Sequence, residues 1–175
     1  MDELPTIVAI DANVLVCACQ KKGDRREKVW HLLDSLDKKK GKIAIPTPAI
    51  AEFLVRADQA ALGILDALQK KASITIASFD LAAAHENALL DAAAIGRQDK
   101  KDGSDEHWQK VKIDRQIVAI AKANGAKLIV SDDAGVRANA TRAGIRSLKI
   151  DELPIPDHAR QRKLPIKEPK QSRKK

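Results

Sequence analysis

Short apolar segments alternate with helical segments along this chain, and this alternation restricts the fold more than any other feature. Residues 6–10 form an apolar run of strand length that ends at Asp11. Runs that are apolar on both faces are typical of strands in a parallel sheet, which helices cover on each side. The predicted strands are residues 6–10, 43–45, 74–76, 128–130 and 145–150.

Helix signals fill the intervals between these strands. Thr47-Pro48 predicts a helix start, and Asp58 and Asp80 predict two more. Strands that alternate with helices in this way favour a parallel α/β sandwich with right-handed crossovers. Apolar residues at helical spacing mark a further helix: Ile113, Ile117, Ile120 and Ala121.

The net charge of +8 on 175 residues is concentrated at one end. Residues 157–175 hold eight basic and two acidic side chains, so the preceding chain is close to neutral. We predict one domain over residues 1–153, with a charged surface loop at 97–110, and a flexible basic tail over residues 154–175. The candidate RNA contacts of the tail are Arg160, Arg162 and Lys163.

The composition excludes several classes of protein. Aromatic residues make up 2% of the chain, which leaves almost nothing for base-stacking surfaces. No apolar stretch approaches the roughly 18 residues that cross a bilayer, and the first residues do not resemble a secretion signal. We therefore expect a cytoplasmic protein with no membrane partner.

Acidic residues stand where an α/β sheet usually forms its site. Asp11 follows the first strand and Asp133, with Asp132 beside it, follows the fourth. Ligands of open α/β sheets bind outside the carboxyl ends of the strands. Glu52 lies early in the helix after the second strand, and Asp114 lies in the opening turn of its amphipathic helix.

Four carboxylates that converge need a cation to offset their repulsion. Oxygen ligands without a convergent histidine or cysteine favour Mg²⁺ or Mn²⁺, and such a site suits phosphodiester hydrolysis. Glycine-rich phosphate loops, which a dinucleotide or P-loop site requires, are absent from the sequence.

The acids and their flanking residues resemble the PIN-domain nucleases, in particular the bacterial toxins of the VapC type. The resemblance covers about 145 residues, in the expected order of strands and helices. Its segments are Ile7-Val8-Ala9-Ile10-Asp11-Ala12-Asn13, Pro48-Ala49-Ile50-Ala51-Glu52-Phe53, Ile113-Asp114-Arg115-Gln116-Ile117-Val118-Ala119 and Leu128-Ile129-Val130-Ser131-Asp132-Asp133.

The resemblance implies a PIN-like three-layer α/β/α sandwich with a central parallel sheet of four to five short strands. It also implies a metal-dependent ribonuclease that acts on single-stranded RNA, is often a homodimer and is frequently paired with a cognate antitoxin. By this resemblance Asp11, Glu52 and Asp114 form the acidic triad, and Asp133 is the fourth acid. Asp11, Asp114 and Asp133 are the implied metal ligands, supported by Asn13, Ser131 and the neighbouring Asp132.

Two residues depart from the family pattern, and two other functions remain open. Ala12 replaces a threonine, and Val136 replaces a common aromatic residue. An aspartyl-phosphate phosphatase also places an aspartate after its first strand, but Asn13 stands where its second acid is needed. A non-catalytic PIN-like module that binds RNA or protein through the basic tail is the other alternative.

Overall fold

A single sheet of five parallel strands forms the centre of the structure, a computed structural model that describes residues 4–156. Its strands are three to five residues long. They are β1 (Ile7–Ile10), β2 (Lys42–Pro46), β3 (Ile74–Ala77), β4 (Leu128–Val130) and β5 (Arg146–Leu148).

Seven α-helices flank the sheet within the described residues. The last strand leads into a short 3₁₀-helix, Ile150–Glu152. The α-helices are α1 (Ala12–Cys19), α2 (Asp24–Lys38), α3 (Thr47–Leu54), α4 (Gln59–Gln69), α5 (Leu81–Gly96), α6 (Trp108–Ala123) and α7 (Ala134–Arg142). None of these helices is long and apolar enough to span a membrane.

The strand order is β3-β2-β1-β4-β5, so the chain advances in one direction from β1 to β3 and in the other from β3 to β5. Right-handed crossovers therefore place α1 to α4 on one face and α5 to α7 on the other. This confirms the predicted three-layer sandwich. The reversal occurs between β1 and β4, and such a switch point is where α/β sheets form their sites.

The core lies on both faces of the two central strands. Val8, Ile10 and all of β4 are buried, as the apolar runs predict. Helix α6 supplies the largest helical contribution, with Ile117 and Ile120 at most 1% exposed. Burial of such side chains stabilises the fold by about 1.5–3 kcal/mol each.

Three local predictions differ from the structure. Helix α1 was not predicted, and it begins directly after Asp11 without a polar break. The predicted helix start at Thr47-Pro48 is confirmed, with Pro46 as the N-cap and Thr47 as the first residue of α3.

The predicted loop 97–110 ends earlier than expected, because α6 begins at Trp108. The Arg115 guanidinium lies 5.6 Å from the centre of the Trp108 ring and fixes this first turn against the next. Asp114 consequently lies in the second turn of α6, whereas the sequence predicted the opening turn.

Candidate active site

Asp11 is the first residue after β1, and its side chain is buried although it is acidic. Its Oδ1 accepts a hydrogen bond of 2.7 Å from the Ala12 amide, which caps α1. Its Oδ2 accepts hydrogen bonds from Ser131 Oγ at 2.6 Å and Asn13 Nδ2 at 2.9 Å. A buried carboxylate is tolerated only when such donors replace water, and three donors do so here.

Ser131 and Asn13 join the end of β1 to the end of β4. Ser131 Oγ accepts hydrogen bonds from the Asp133 amide at 3.0 Å and from Asn13 Nδ2 at 3.2 Å. Asn13 Oδ1 in turn accepts one from the Asp132 amide at 3.1 Å. Ser131 and Asn13, two of the three predicted supporting residues, therefore contact the Asp11 carboxylate and the segment that bears Asp133.

Asp133 caps α7 and leaves one carboxylate oxygen for the site. Its Oδ1 accepts hydrogen bonds from the amides of Gly135 and Val136, at 2.7 and 3.1 Å. Its Oδ2 lies 2.7 Å from Lys110 Nζ. The cap fixes the direction of this side chain, because an N-cap carboxylate must face the first amides of its helix.

Asp114 projects from α6 against the start of α7 and is 3% exposed. Both of its carboxylate oxygens lie 3.2 Å from Lys110 Nζ. A Cβ at Gly135 would overlap Asp114 Oδ2 and would lie 3.1 Å from Asp133 Oδ1. The absence of a side chain at Gly135 is what lets these two carboxylates approach the same turn.

Sequence reasoning missed Lys110, the cation shared by Asp114 and Asp133. Lys110 is the last residue of the predicted charged surface loop, and a lysine in such a loop indicates no particular function. One local signal was available, because Lys110 and Asp114 are four residues apart and therefore face the same side of a helix.

Glu52 lies in the second turn of α3, at the exposed rim of the acidic group. It lines a shallow depression with Asn13, Val16 and Arg56. Burial and the nearby charge of Asp11 raise the pKa of Glu52, which places its carboxylate within the electrostatic reach of the buried acids.

Asp132 diverges from the other acids. Its carboxylate is paired with Arg25 of α2 and accepts a hydrogen bond from the Ile150 amide at 3.1 Å. Arg25 also lies 3.3 Å from Asp151. Asp132 therefore connects β4 to α2 and to the 3₁₀-helix, while Asp133 faces Asp114.

The pKa values of the acids separate into two groups. Burial, reinforced by Asp133, raises the pKa of Asp114 to about 6, and burial also raises the pKa of Asp11. Burial opposes ionisation of Asp133 too, but Lys110 and the amides of α7 outweigh it, so its pKa lies below the usual value. The low-pKa acid and a high-pKa acid, Asp133 and Asp114, thus share the single positive charge of Lys110.

A pocket of about 270 Å³ opens beside these carboxylates. Asp114 and Asp133 line one part of it, and Asp102 and Arg142 line another. The loop between α5 and α6 contributes Lys101, Gly103, Ser104 and Glu106 to the wall, and helix α7 contributes most of the rest.

The chemistry of the donor set suits a hard divalent cation, although the spacing of the acids in the described part of the chain does not yet form a complete site. Carboxylate oxygens are the ligands that Mg²⁺ and Mn²⁺ prefer, and a cationic group already lies between Asp114 and Asp133. Asp11 is linked to Asp133 through Ser131. Across residues 4–156, however, no three acidic, histidine or cysteine side chains are close enough to hold one metal ion together.

The predicted tail contacts Arg160, Arg162 and Lys163 lie outside the described residues. The charged loop before α6 is described, and a buried arginine anchors it: Arg115 donates hydrogen bonds to Asp91 at 2.7 Å, the Lys100 carbonyl at 2.7 Å and Asp102 at 3.0 Å. Neither this anchor nor its partners were predicted as functional residues.

Comparison with known proteins gives relatives by structure alone. No protein-family model matches the sequence, and no curated protein matches it. A chain of the VapBC2 complex from Rickettsia felis, solved bound to a DNA fragment from its promoter, is 18% identical with a TM-score of 0.58, covering 82% of this chain and 98% of that one. A chain of DNA-bound VapBC from Salmonella typhimurium is 15% identical with a TM-score of 0.55, covering 85% and 99%. The predicted resemblance to VapC-type PIN domains is therefore confirmed in the fold, which this chain shares with the VapBC proteins over most of its length.

Proposed function

We propose that this protein is a metal-dependent endoribonuclease that acts in the cytoplasm as the toxin of a toxin–antitoxin pair. One observation carries the proposal. Asp114 and Asp133 both contact the Lys110 ammonium and line the same pocket, and Asp133 is linked to the buried Asp11 through Ser131. This group lies at the switch point of a fold shared with VapBC chains.

Each acid has a distinct part in the proposed site. Asp11, Asp114 and Asp133 would hold Mg²⁺ or Mn²⁺, and Glu52 adds charge at the rim. A bound divalent cation supplies an activated water near neutral pH and stabilises the charge on the departing oxygen. Ser131 and Asn13 fix the Asp11 carboxylate through the hydrogen bonds described above.

We infer that Asp133, and not Asp132, is the fourth acid. The Asp132 carboxylate is occupied by Arg25 and the Ile150 amide, whereas Asp133 Oδ2 faces Lys110 and the pocket. The neighbouring aspartate therefore provides a matched control for mutagenesis, because it has the same charge and almost the same position in the sequence.

The test is cleavage of single-stranded and structured RNA with Mg²⁺ or Mn²⁺, with and without a chelator. Asp11→Asn and Asp114→Asn should each lower the cleavage rate about a hundred-fold or more, because each removes a charged ligand of the proposed metal ion, which stabilises the transition state. Asp132→Asn should remain close to the wild type. Cleavage that persists in both site variants, or in chelator, contradicts the proposal.

The aspartyl-phosphate alternative loses support from the structure. Asn13 occupies the position of the required second acid, and its amide donates to Asp11 Oδ2. A binding module without activity is the outcome if no variant, including the wild type, cleaves RNA in the presence of metal.

The remaining parts of the proposal concern partners. Arg160, Arg162 and Lys163 of the basic tail would contact RNA phosphates, so truncation after Pro156 should weaken RNA binding and reduce its salt dependence. The antitoxin and the homodimer follow from the proposed toxin function. Co-purification with the product of a neighbouring gene and light scattering of the purified chain test them.

A further inference from the structure

Lys110 is placed as a metal ion would be placed between two carboxylates. Its Nζ lies 3.2 Å from each oxygen of Asp114 and 2.7 Å from Asp133 Oδ2. An ammonium group has three N–H donors, and it contacts three carboxylate oxygens here. Both carboxylates are thus directed at the lysine.

The acidic group holds more negative charge than Lys110 can neutralise. Repulsion among the four acids contributes to the raised pKa values of Asp11, Glu52 and Asp114. One ammonium offsets one charge. The site therefore keeps a net attraction for cations while its best-placed oxygens are already engaged.

The Lys110 side chain can also move away from the two carboxylates. Its side chain is 37% exposed and lies in the first turn of α6, beside the open pocket, whereas the Asp114 side chain is only 4% exposed. A lysine side chain has four flexible methylene groups, and its ammonium is well hydrated in water. Rotation toward solvent requires no movement of the backbone.

We propose that Lys110 is an internal counter-ion that competes with the divalent cation for Asp114 and Asp133. It neutralises the pair when no metal is bound, and it turns outward when the metal binds. This inference rests on the proposed metal site. Its consequence is a metal affinity lower than the four acids alone would produce, so occupancy of the site responds to the available concentration of divalent cation.

The experiment measures Mn²⁺ binding in the full chain, by titration with the electron paramagnetic resonance signal of free Mn²⁺. Lys110→Met should raise the affinity about ten-fold or more, because it removes a positive charge in contact with both ligands. Lys112→Met is the matched control. It removes the same charge from the same helix, but Lys112 lies near the Trp108 ring and is not among the residues that contact the acids. Its affinity should change by less than about two-fold.

A second measurement follows the lysine itself. The Lys110 ammonium signal in nitrogen-15 NMR should show a slowly exchanging, hydrogen-bonded group without metal, and should lose this protection when Mg²⁺ is added. Lys110→Gln, which retains hydrogen bonding without charge, replaces Lys110→Met if the apolar variant does not fold. It should also bind Mn²⁺ more tightly than the wild type.

The outcomes separate this inference from the proposed function. Equal or weaker Mn²⁺ binding in the Lys110 variants overturns the competition and leaves the metal site intact. An ammonium signal that Mg²⁺ does not change also overturns it. If neither the wild type nor the variants bind Mn²⁺, the proposed metal site and the competition both fail.

Discussion

Asp102 and Asp114 line the same pocket, and their side chains are equally buried, with 4% exposed in each case. Their pKa values nevertheless move in opposite directions. Burial raises the pKa of Asp114 to about 6, with Asp133 adding to the effect. Burial acts on Asp102 as well, but the surrounding arginines outweigh it and lower its pKa.

The difference lies in the neighbours of each carboxylate. Asp102 is within 2.5 Å of Arg97, 3.0 Å of Arg115 and 3.6 Å of Arg142, so positive charge exceeds negative charge around it. Asp114 shares its one lysine with a second aspartate.

This contrast separates an acid that holds a loop from an acid of the proposed metal site. Side-chain exposure does not distinguish them, since it is 4% in both. Asp102 has more cationic partners than its charge requires, whereas Asp114 has fewer, as the proposed metal ligand should.

The largest predicted effect on stability tests the arginine partners of Asp102. Arg115→Met should lower the free energy of unfolding by about 3–5 kcal/mol, because the side chain is 1% exposed and its loss removes a buried partner of Asp91 and Asp102. Urea denaturation measures this. Arg97 pairs with the same Asp102 but is 53% exposed, so Arg97→Met should cost less than about 1 kcal/mol. Equal, small losses in both variants would show that burial of the pair is irrelevant.

A second substitution tests the close contact between Gly135 and the Asp114 carboxylate. Gly135→Ala should lower the free energy of unfolding by about 1–3 kcal/mol, because the new methyl group overlaps Asp114. Gly63→Ala is the control, since nothing lies within 4 Å of that helical position. It should stabilise the protein by up to about 1 kcal/mol. A stabilised Gly135→Ala variant contradicts the proposed packing of α7 on Asp114.

The third predicted change in stability has opposite signs for the Asp→Asn substitutions at Asp114 and at Asp102. Asp114→Asn should raise the free energy of unfolding at pH 7 by about 1 kcal/mol or more, because it removes a carboxylate whose folded pKa is raised. Asp102→Asn should lower it, because three arginines lose an ionised partner.

The pH dependence follows from the same shift. Asp114 binds its proton more readily in the folded chain, with a pKa of about 6 against an ordinary 3.8, so its contribution to stability falls as pH rises between these values. The advantage of Asp114→Asn should therefore be absent below about pH 4 and complete above about pH 6. Urea denaturation across this range in chelator measures it, and an advantage independent of pH contradicts the assignment.

The layers of this fold could be predicted because the central strands are apolar on both faces. The runs at residues 6–10 and 128–130 coincide with β1 and β4 to within a residue. Helix α1 could not be predicted in the same way. It is short and apolar, and it follows Asp11 directly, so the N-cap function of that aspartate was hidden by its position at a strand end.

The acids of the candidate site could be predicted from their positions at strand and helix ends, but the arginine partners of the loop before α6 could not. The Asp102–Arg115 pair joins a loop without periodicity to a helix 13 residues away. The choice between Asp132 and Asp133 also required the fold. Consecutive residues project in different directions, and only the three-dimensional structure shows which one faces Asp114.

The hydrogen bond from Ser131 to Asp11 spans 120 residues, and it joins strands that are neighbours in the sheet. A nascent chain that ends before Asp114 contains Asp11 and Glu52 but neither of the acids that share Lys110. If the proposed metal site is right, such a chain would lack two of its four acids. It would gain nuclease activity only once β4 and the start of α7 had been added.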